Sequence, residues 1–279
     1  MNAPDARTTP QLQWSGRTDR GRVRPNNEDA FLGLLFDARE VQRLGSHGEA
    51  SMAQHDFVFA VSDGMGGASA GEFASRLAVD QVTAMMPRLF HQTAQGLATG
   101  FPDVLADLFG KVHRAMRYWG WSGEECAGME ATLSLCWFTP EWMYFGHVGD
   151  SRIYYLPARG GGLRQLSEDD THVGWLRRNG KINEREARAH PRRNVLQKAL
   201  GAGNQFVDPQ VGAVGYEPGD CFLLCSDGLT GGLFDAQIEE LLRSSAADAA
   251  SAVRATRLVN ESVNADGRDN TTALVIQVV

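Results

Sequence analysis

The 279-residue sequence predicts an α+β fold in which antiparallel sheet is layered against helices. Two patterns carry that expectation. Short apolar runs arrive in pairs, and so do segments with helical spacing, whereas a doubly wound parallel sheet needs strand and helix to alternate one for one. With 43% hydrophobic and 22% charged residues, the chain has the composition of a folded globular protein with a sizeable core.

Residues 1–12 are polar and aperiodic and are expected to form a loose tail, with one domain over 13–279. Val58–Ser62 is an apolar run ending in Asp63-Gly64, the pattern of a buried strand. Gly71–Met86 has helical spacing, with Phe73, Leu77, Ala78, Val82 and Met85 on one face. Asp103–Tyr118 forms a second helix with Val104, Leu105, Leu108, Val112 and Met116 apolar. Thr132–Phe138 and Trp142–Val148 make a hairpin turning at Thr139-Pro140-Glu141. Arg152–Leu156 and Leu163–Leu166 extend the pattern around Gly160-Gly161-Gly162, and Cys221–Ser226 is another strand ending in Asp-Gly. Helices follow at Ala236–Arg243 and Ala247–Asn264, and Thr272–Val279 closes the chain as a strand. Asp37–Gln54 reads as a polar insertion. The Arg-rich Thr171–Asn194, with Val173, Leu176, Ile182 and Ala187 at helical spacing, reads either as a flap beside a site or as a solvated surface helix.

A net charge of −7 argues against a nucleic-acid or anionic-membrane binder, although Arg177, Arg178, Lys181, Arg185, Arg188, Arg192 and Arg193 make one basic stretch. No apolar run is long enough to span a bilayer, and residues 1–7 carry no signal core, so a cytoplasmic protein is expected. Cys126, Cys136, Cys221 and Cys225 lack zinc spacing and are expected as free thiols, mostly buried, in a reducing compartment. His147, inside a strand, is expected to be packed rather than ligating. Trp119, Trp121, Trp137, Trp142 and Trp175 are expected in core or flap packing.

Four aspartates carry the chemistry: Asp63 before Gly64, Asp150 after Gly149, Asp227 before Gly228, and Asp269 between Arg268 and Asn270. Taken singly, an Asp-Gly at a strand end is more often a turn. Taken together, four carboxylates each following an apolar run converge naturally at one edge of a β-core, where hard divalent cations find oxygen ligands. Two such cations about 3.5–4 Å apart bind a phosphate and activate water for in-line displacement. Upstream, Arg24 precedes the carboxylate pair Glu28 and Asp29, and Arg suits bidentate binding of phosphate oxygens. A dinucleotide fingerprint at Gly64-Met65-Gly66-Gly67-Ala68-Ser69 is weak, because Ser69 holds the third glycine position and no alternating βα pattern follows.

The motifs Arg24-Pro25-Asn26-Asn27-Glu28-Asp29, Asp63-Gly64-Met65-Gly66-Gly67, Gly149-Asp150-Ser151-Arg152, Ser226-Asp227-Gly228-Leu229 and Gly267-Arg268-Asp269-Asn270 occur in that order. The order resembles the metal-dependent Ser/Thr protein phosphatases, the PPM family, in their bacterial form, from about Gly16 to the C-terminus. The resemblance implies a four-layer αββα sandwich, two antiparallel β-sheets flanked by antiparallel helix pairs, with metals in a cleft at one end. It implies Mn²⁺ or Mg²⁺ as cofactor, two core ions and a third, weaker one. Carried over by motif, Asp63 bridges the core ions, the Gly64 carbonyl binds one of them, and Asp227 and Asp269 complete the pair. Asp150 with Asp227 holds the third ion, Arg24 grips the substrate phosphate, and Glu28 and Asp29 ligate metal or hold its waters. Residues 171–194 become the flap that meets the substrate.

The implied activity is direct hydrolysis of phosphoserine and phosphothreonine in proteins, opposing a bacterial Ser/Thr kinase. The implied partners are phosphorylated proteins, with no nucleic acid or membrane, and a monomer is expected. The flap end resembles phosphatases that accompany type VI secretion kinases. Met65 departs from the family by standing where animal members carry a histidine proposed as general acid. Glu130 replaces a residue that is usually small, and Asp170 stands where the family often has His. A catalytically silent phosphoprotein binder and a metal phosphodiesterase or nuclease are the rival readings.

Overall fold

The strand runs assemble into two antiparallel sheets in a computed structural model that describes residues 10–37, 40–94, 100–122, 126–204, 206–244 and 253–279. One sheet runs β10 (Arg164–Gln165), β9 (Arg152–Leu156), β12 (Cys221–Cys225), β13 (Thr271–Val278), β1 (Gln11–Asp19), β4 (His47–Ser51). The other runs β11 (Gln210–Gly215), β8 (Trp142–Val148), β7 (Leu133–Phe138), β5 (Asp56–Met65), β2 (Asp29–Phe36), β3 (Val41–Arg43), with β6 (Glu130–Ala131) pairing the end of β5.

Strand alternation sends one set of side chains inward between the sheets. Phe57, Phe59, Val61, Phe138, Phe222, Leu224 and Ile276 form that central core. The opposite faces are covered by helices. On β2, β5 and β7, residues Leu34, Val58 and Leu135 pack against α1 (Ala68–Ala94) and α2 (Phe101–Ser122). On β12 and β13, residues Leu223, Val275 and Ala273 pack against α5 (Asp227–Gly232), α6 (Asp235–Ser244) and α7 (Arg254–Ala265). The layers are therefore helix, sheet, sheet, helix, the four-layer αββα sandwich the motifs implied. Between β10 and β11 lie two short helices, α3 (His172–Arg178), capped by Thr171, and α4 (Glu184–Ala189), which opens with a capping box from Asn183 and Glu186.

Several expectations are corrected. Strand β1 begins at Gln11 and buries Leu12, so the polar tail was drawn two residues too long; residues 1–9 lie outside the described part. The face of α1 that meets the sheet is Ala74, Ala78, Val82 and Met86, an i, i+4 row. Phe73 instead lies 37% exposed, edge-on to Trp119. Asp37–Gln54 is no plain insertion: β3 extends one sheet and β4 the other, while residues 38–39 lie outside the described part. The last helix begins at Arg254, and 245–252 are outside the described part. Of the tryptophans expected in core or flap packing, Trp137 alone is in the core. Trp119, Trp121, Trp142 and Trp175 are exposed. Cys136, Cys221 and Cys225 are buried free thiols as expected, and Cys126 is free and half-buried.

Candidate metal centre

The motif aspartates lie within or beside β5, β8, β12 and β13 and meet at one cavity. Asp63 stays within β5, which runs on to Met65 because Gly64 and Met65 pair with Ala131 and Glu130. The Asp-Gly is thus no turn. Gly64 serves close packing: a Cβ there would lie 1.9 Å from the Gly71 carbonyl oxygen and 3.0 Å from that of Glu28. Asp227 opens α5 directly after β12, so its Asp-Gly is a helix start. Asp150 follows β8 through Gly149, whose φ of 113° is the left-handed region that favours glycine. Asp269 sits in the loop before β13.

These four side chains, with Glu28, Arg24 and Gly64, line one cavity of about 360 Å³. Asp29 lies opposite Asp63 in the β2–β5 register but is buried beneath the cavity wall. Its Oδ2 accepts hydrogen bonds from Ser226 Oγ and Thr272 Oγ1, both at 2.7 Å, while Oδ1 is buried without a partner. Like charges directly across an antiparallel pair are destabilising, so the Asp29–Asp63 juxtaposition serves something other than the sheet.

Electrostatics sharpen the point. Burial pushes the Asp63 carboxyl well above its ordinary value, and repulsion from Asp29, Asp227, Asp150 and Asp269 adds to it. Asp227 is raised likewise, by burial and then by Asp150, Asp269 and Asp29. Burial raises Asp150 to about 7, with Asp169 adding to the shift and Arg152 opposing it. Burial raises Asp29 to about 6 against its two hydroxyl donors. Among the described residues no three of these carboxylates close on one point by themselves; they face each other across the cavity. All-oxygen donors, mutual repulsion and an orphaned buried oxygen on Asp29 are what divalent cations and their waters satisfy, so the residues fit such ions.

Arg24 reaches over the cavity and pairs with Asp269, Nε to Oδ1 and Nη2 to Oδ2, each at 2.8 Å. That pairing raises the Arg24 pKa further. The loop bearing Arg24 and Glu28 is fixed by Asn270, whose Nδ2 donates to the Arg20 and Asn26 carbonyls and whose Oδ1 accepts from the Glu28 N–H. Thr132 takes the Asp63 N–H on Oγ1 at 3.0 Å and gives its own N–H to the Asp63 carbonyl at 2.8 Å. Asp170 accepts from the Gly149 N–H at 3.0 Å, so this departure from the family pattern steadies the turn before Asp150. His147 is fully buried and donates Nε2–H to the Gly149 carbonyl at 3.0 Å while Nδ1 accepts from Ser134 Oγ at 2.9 Å, a packed histidine as expected. The positioning residues Asn270, Thr132, Ser226 and Thr272 were not singled out from sequence. Ser226 and Asn270 adjoin motif aspartates, which is the one signal that pointed to them.

Helix α3 is tied down by a buried network. Although burial opposes it, Arg152 holds Asp169 below the usual carboxylate range through two bonds of 2.9 and 2.7 Å. Arg152 also donates to Tyr154 Oη, which donates in turn to Asp235 Oδ1 at 2.8 Å, and Arg177 joins Asp235 at 2.5 Å.

Fold and site together define a hydrolase-like β-sandwich with a carboxylate cavity at one end, and comparison gives the class. A family model described as protein phosphatase 2C matches residues 46–265. The serine/threonine phosphatase Stp of Listeria innocua is 32% identical over 269 residues, 94% of each chain. PstP of Mycobacterium tuberculosis is 34% identical over 98% of this chain, which spans 46% of that longer protein. A solved catalytic domain of PstP in complex with two manganese ions superposes with a TM-score of 0.73 at 30% identity, over 97% of this chain and all of that one. PppA, described as a key regulatory component of the type VI secretion system in Pseudomonas aeruginosa, superposes with a TM-score of 0.67 at 28% identity, over 96% and 98% of the two chains. The chain belongs to the protein phosphatase 2C family. Its activity is that of a protein serine/threonine phosphatase.

Proposed function

We propose that this cavity removes phosphate from phosphoserine and phosphothreonine with two core divalent cations, Mn²⁺ or Mg²⁺, and a third bound more weakly. Asp63, Asp227, Asp269 and the Gly64 carbonyl hold the core pair, and Asp150 with Asp227 holds the third. When bound, such cations lower the pKa of water and offset charge on a transferring phosphoryl group. The single observation that carries this reading is the convergence of four aspartates from four separate segments on one cavity, where burial and then the neighbouring carboxylates raise the pKa of Asp63 and Asp227.

The chain's own groups do the rest. Arg24 is held over the cavity by Asp269, a residue that would also hold a cation, and its guanidinium fork would suit two oxygens of a substrate phosphate. Glu28 reaches the cavity wall and orders water there, while Asp29, fixed by Ser226 and Thr272, acts from beneath Asp63. Met65, on the same wall, brings no titratable group.

The wider proposal is a monomer with one catalytic domain that starts with β1 at Gln11, and with residues 171–194 as its substrate-facing flap. Its setting is the cytoplasm, a reading favoured by three buried free thiols; among the described residues no helix is long and apolar enough to cross a membrane. Its counterpart is a Ser/Thr kinase, and the likeness to PppA favours one belonging to type VI secretion. Turnover of p-nitrophenyl phosphate that requires Mn²⁺ and stops with EDTA is expected. Activity indifferent to EDTA, or faster on bis-p-nitrophenyl phosphate than on the monoester, would contradict the proposal.

A further inference from the structure

Beside the carboxylate cavity lies a larger one, of about 510 Å³, between the flap helices and the α5–α7 face. Asp150, Asn194, Asp227 and Asp269 line both, so the two spaces are continuous. The basic stretch of the sequence opens onto this second space, and its arginines are not equivalent. Arg152 is taken by Asp169 and Arg177 by Asp235, as described above, and Arg268 pairs with Asp266 at 3.1 Å.

Arg188 and Arg193 line the same space with no carboxylate within ion-pair distance among the described residues. Arg188 lays its guanidinium over the Phe234 ring at 3.9 Å and donates through Nη2 to the Gly231 carbonyl. Its Nη1 is buried with no acceptor at all. Burial lowers the Arg188 pKa, with Glu184 and Asp266 opposing the shift. A buried donor left unsatisfied in a native site calls for a missing partner, and guanidinium selects planar carboxylate or phosphate oxygens.

We propose that this second cavity is an anion subsite, in which Arg188 and Arg193 bind an acidic group carried by the substrate polypeptide beside its phosphorylated residue. The group is a carboxylate or a second phosphoryl. The subsite rests on reading the first cavity as the phosphatase centre, because the shared wall lets one extended peptide reach both.

Three phosphothreonine peptides of one sequence, flanked on both sides by glutamine, glutamate or phosphoserine, test it. The unaltered enzyme is expected to prefer an acidic peptide over the glutamine peptide by about ten-fold in kcat/KM, chiefly through KM. Whichever acidic peptide gains identifies the source of the anion. Arg193→Gln, at an exposed position where folding is not at risk, and Arg188→Gln are expected to lose that preference while keeping turnover of p-nitrophenyl phosphate, which carries no flanking anion. Equal turnover of all three peptides by the unaltered enzyme, or a preference that survives both substitutions, would overturn the subsite. Fluorescence anisotropy of the same peptides on metal-free protein reads the subsite without chemistry. If no substrate is hydrolysed, the phosphatase reading fails alone, and anisotropy still decides the subsite by whether the acidic peptides bind more tightly and Arg193→Gln removes the difference.

Discussion

At the scale of the residue, a buried carboxylate is informative because its cost has to be offset by something. Asp56 illustrates the ordinary case. It lies at the start of β5, accepts Trp137 Nε1–H at 2.9 Å, and is raised to about 6 by burial in spite of that bond. A carboxyl raised in the fold contributes stability that is complete below the unfolded value of about 3.9 and is lost as pH rises through about 6. Asp56→Asn keeps an acceptor for Trp137 without the charge. Thermal denaturation is therefore expected to show it more stable than the parent at pH 8 and no more stable at pH 4; parallel Tm-versus-pH curves would refute this. Asp63 and Asp227 differ in being crowded by other carboxylates, and no hydrogen bond to a neutral donor answers that. The motif aspartates were legible in the sequence because Asp63, Asp150 and Asp227 each follow an apolar run and Asp269 precedes one. The groups that hold them were not. Thr132 reaches Asp63 across 69 residues and Thr272 reaches Asp29 across 243, distances at which a hydroxyl in the sequence carries no mark of its partner.

At the scale of the element, strand positions were legible where the apolar run was unbroken: β9 was anticipated at Arg152–Leu156 and β8 at Trp142–Val148, their observed bounds. Taken singly an Asp-Gly pair favours a turn, yet at residues 63–64 it continues a strand and at 227–228 it begins a helix, because glycine is needed for room and not for a bend. Gly64→Ala forces a methyl toward the Gly71 carbonyl oxygen at 1.9 Å, backbone that has nowhere to retreat. We expect a loss of about 3 kcal/mol or more in urea denaturation together with loss of turnover; an unchanged midpoint would show that β5 and α1 are not fixed against each other there. The polar insertion was misread for a different reason. β3 and β4 are short edge strands with few apolar residues, and edge strands need no alternation to be paired on one side. Helix α1 is expected at Gly71–Met86 and runs Ala68–Ala94; Ala78 and Val82 of its expected face are buried, but Phe73 is not, since small alanines rather than a large ring let the helix settle on the sheet.

At the scale of the molecule, two sheets hold four segments rigidly enough to keep like charges together, and stability is given up for function at that end. Substituting one member of the cluster should therefore stabilise the metal-free protein. Asp63→Asn is expected to raise the metal-free Tm at neutral pH and to lose most of the further rise on adding Mn²⁺, which for saturation at about 100 times Kd amounts to about 2.7 kcal/mol in the parent. A metal-free Tm lowered by Asp63→Asn would mean that the carboxylate is structural. The four-layer arrangement itself was legible through the ordered motifs, whereas the second cavity was not, because it forms only where α3 and α4 meet α5 and α7. The most direct test of the whole account is hydrolysis of a phosphothreonine peptide by the parent and by Asp227→Asn, with Mn²⁺ and with EDTA, alongside circular dichroism of both. The account predicts Mn²⁺-dependent release of phosphate by the parent and a fall of at least about 100-fold in the variant with its fold intact. Undiminished turnover by a folded Asp227→Asn protein would contradict it.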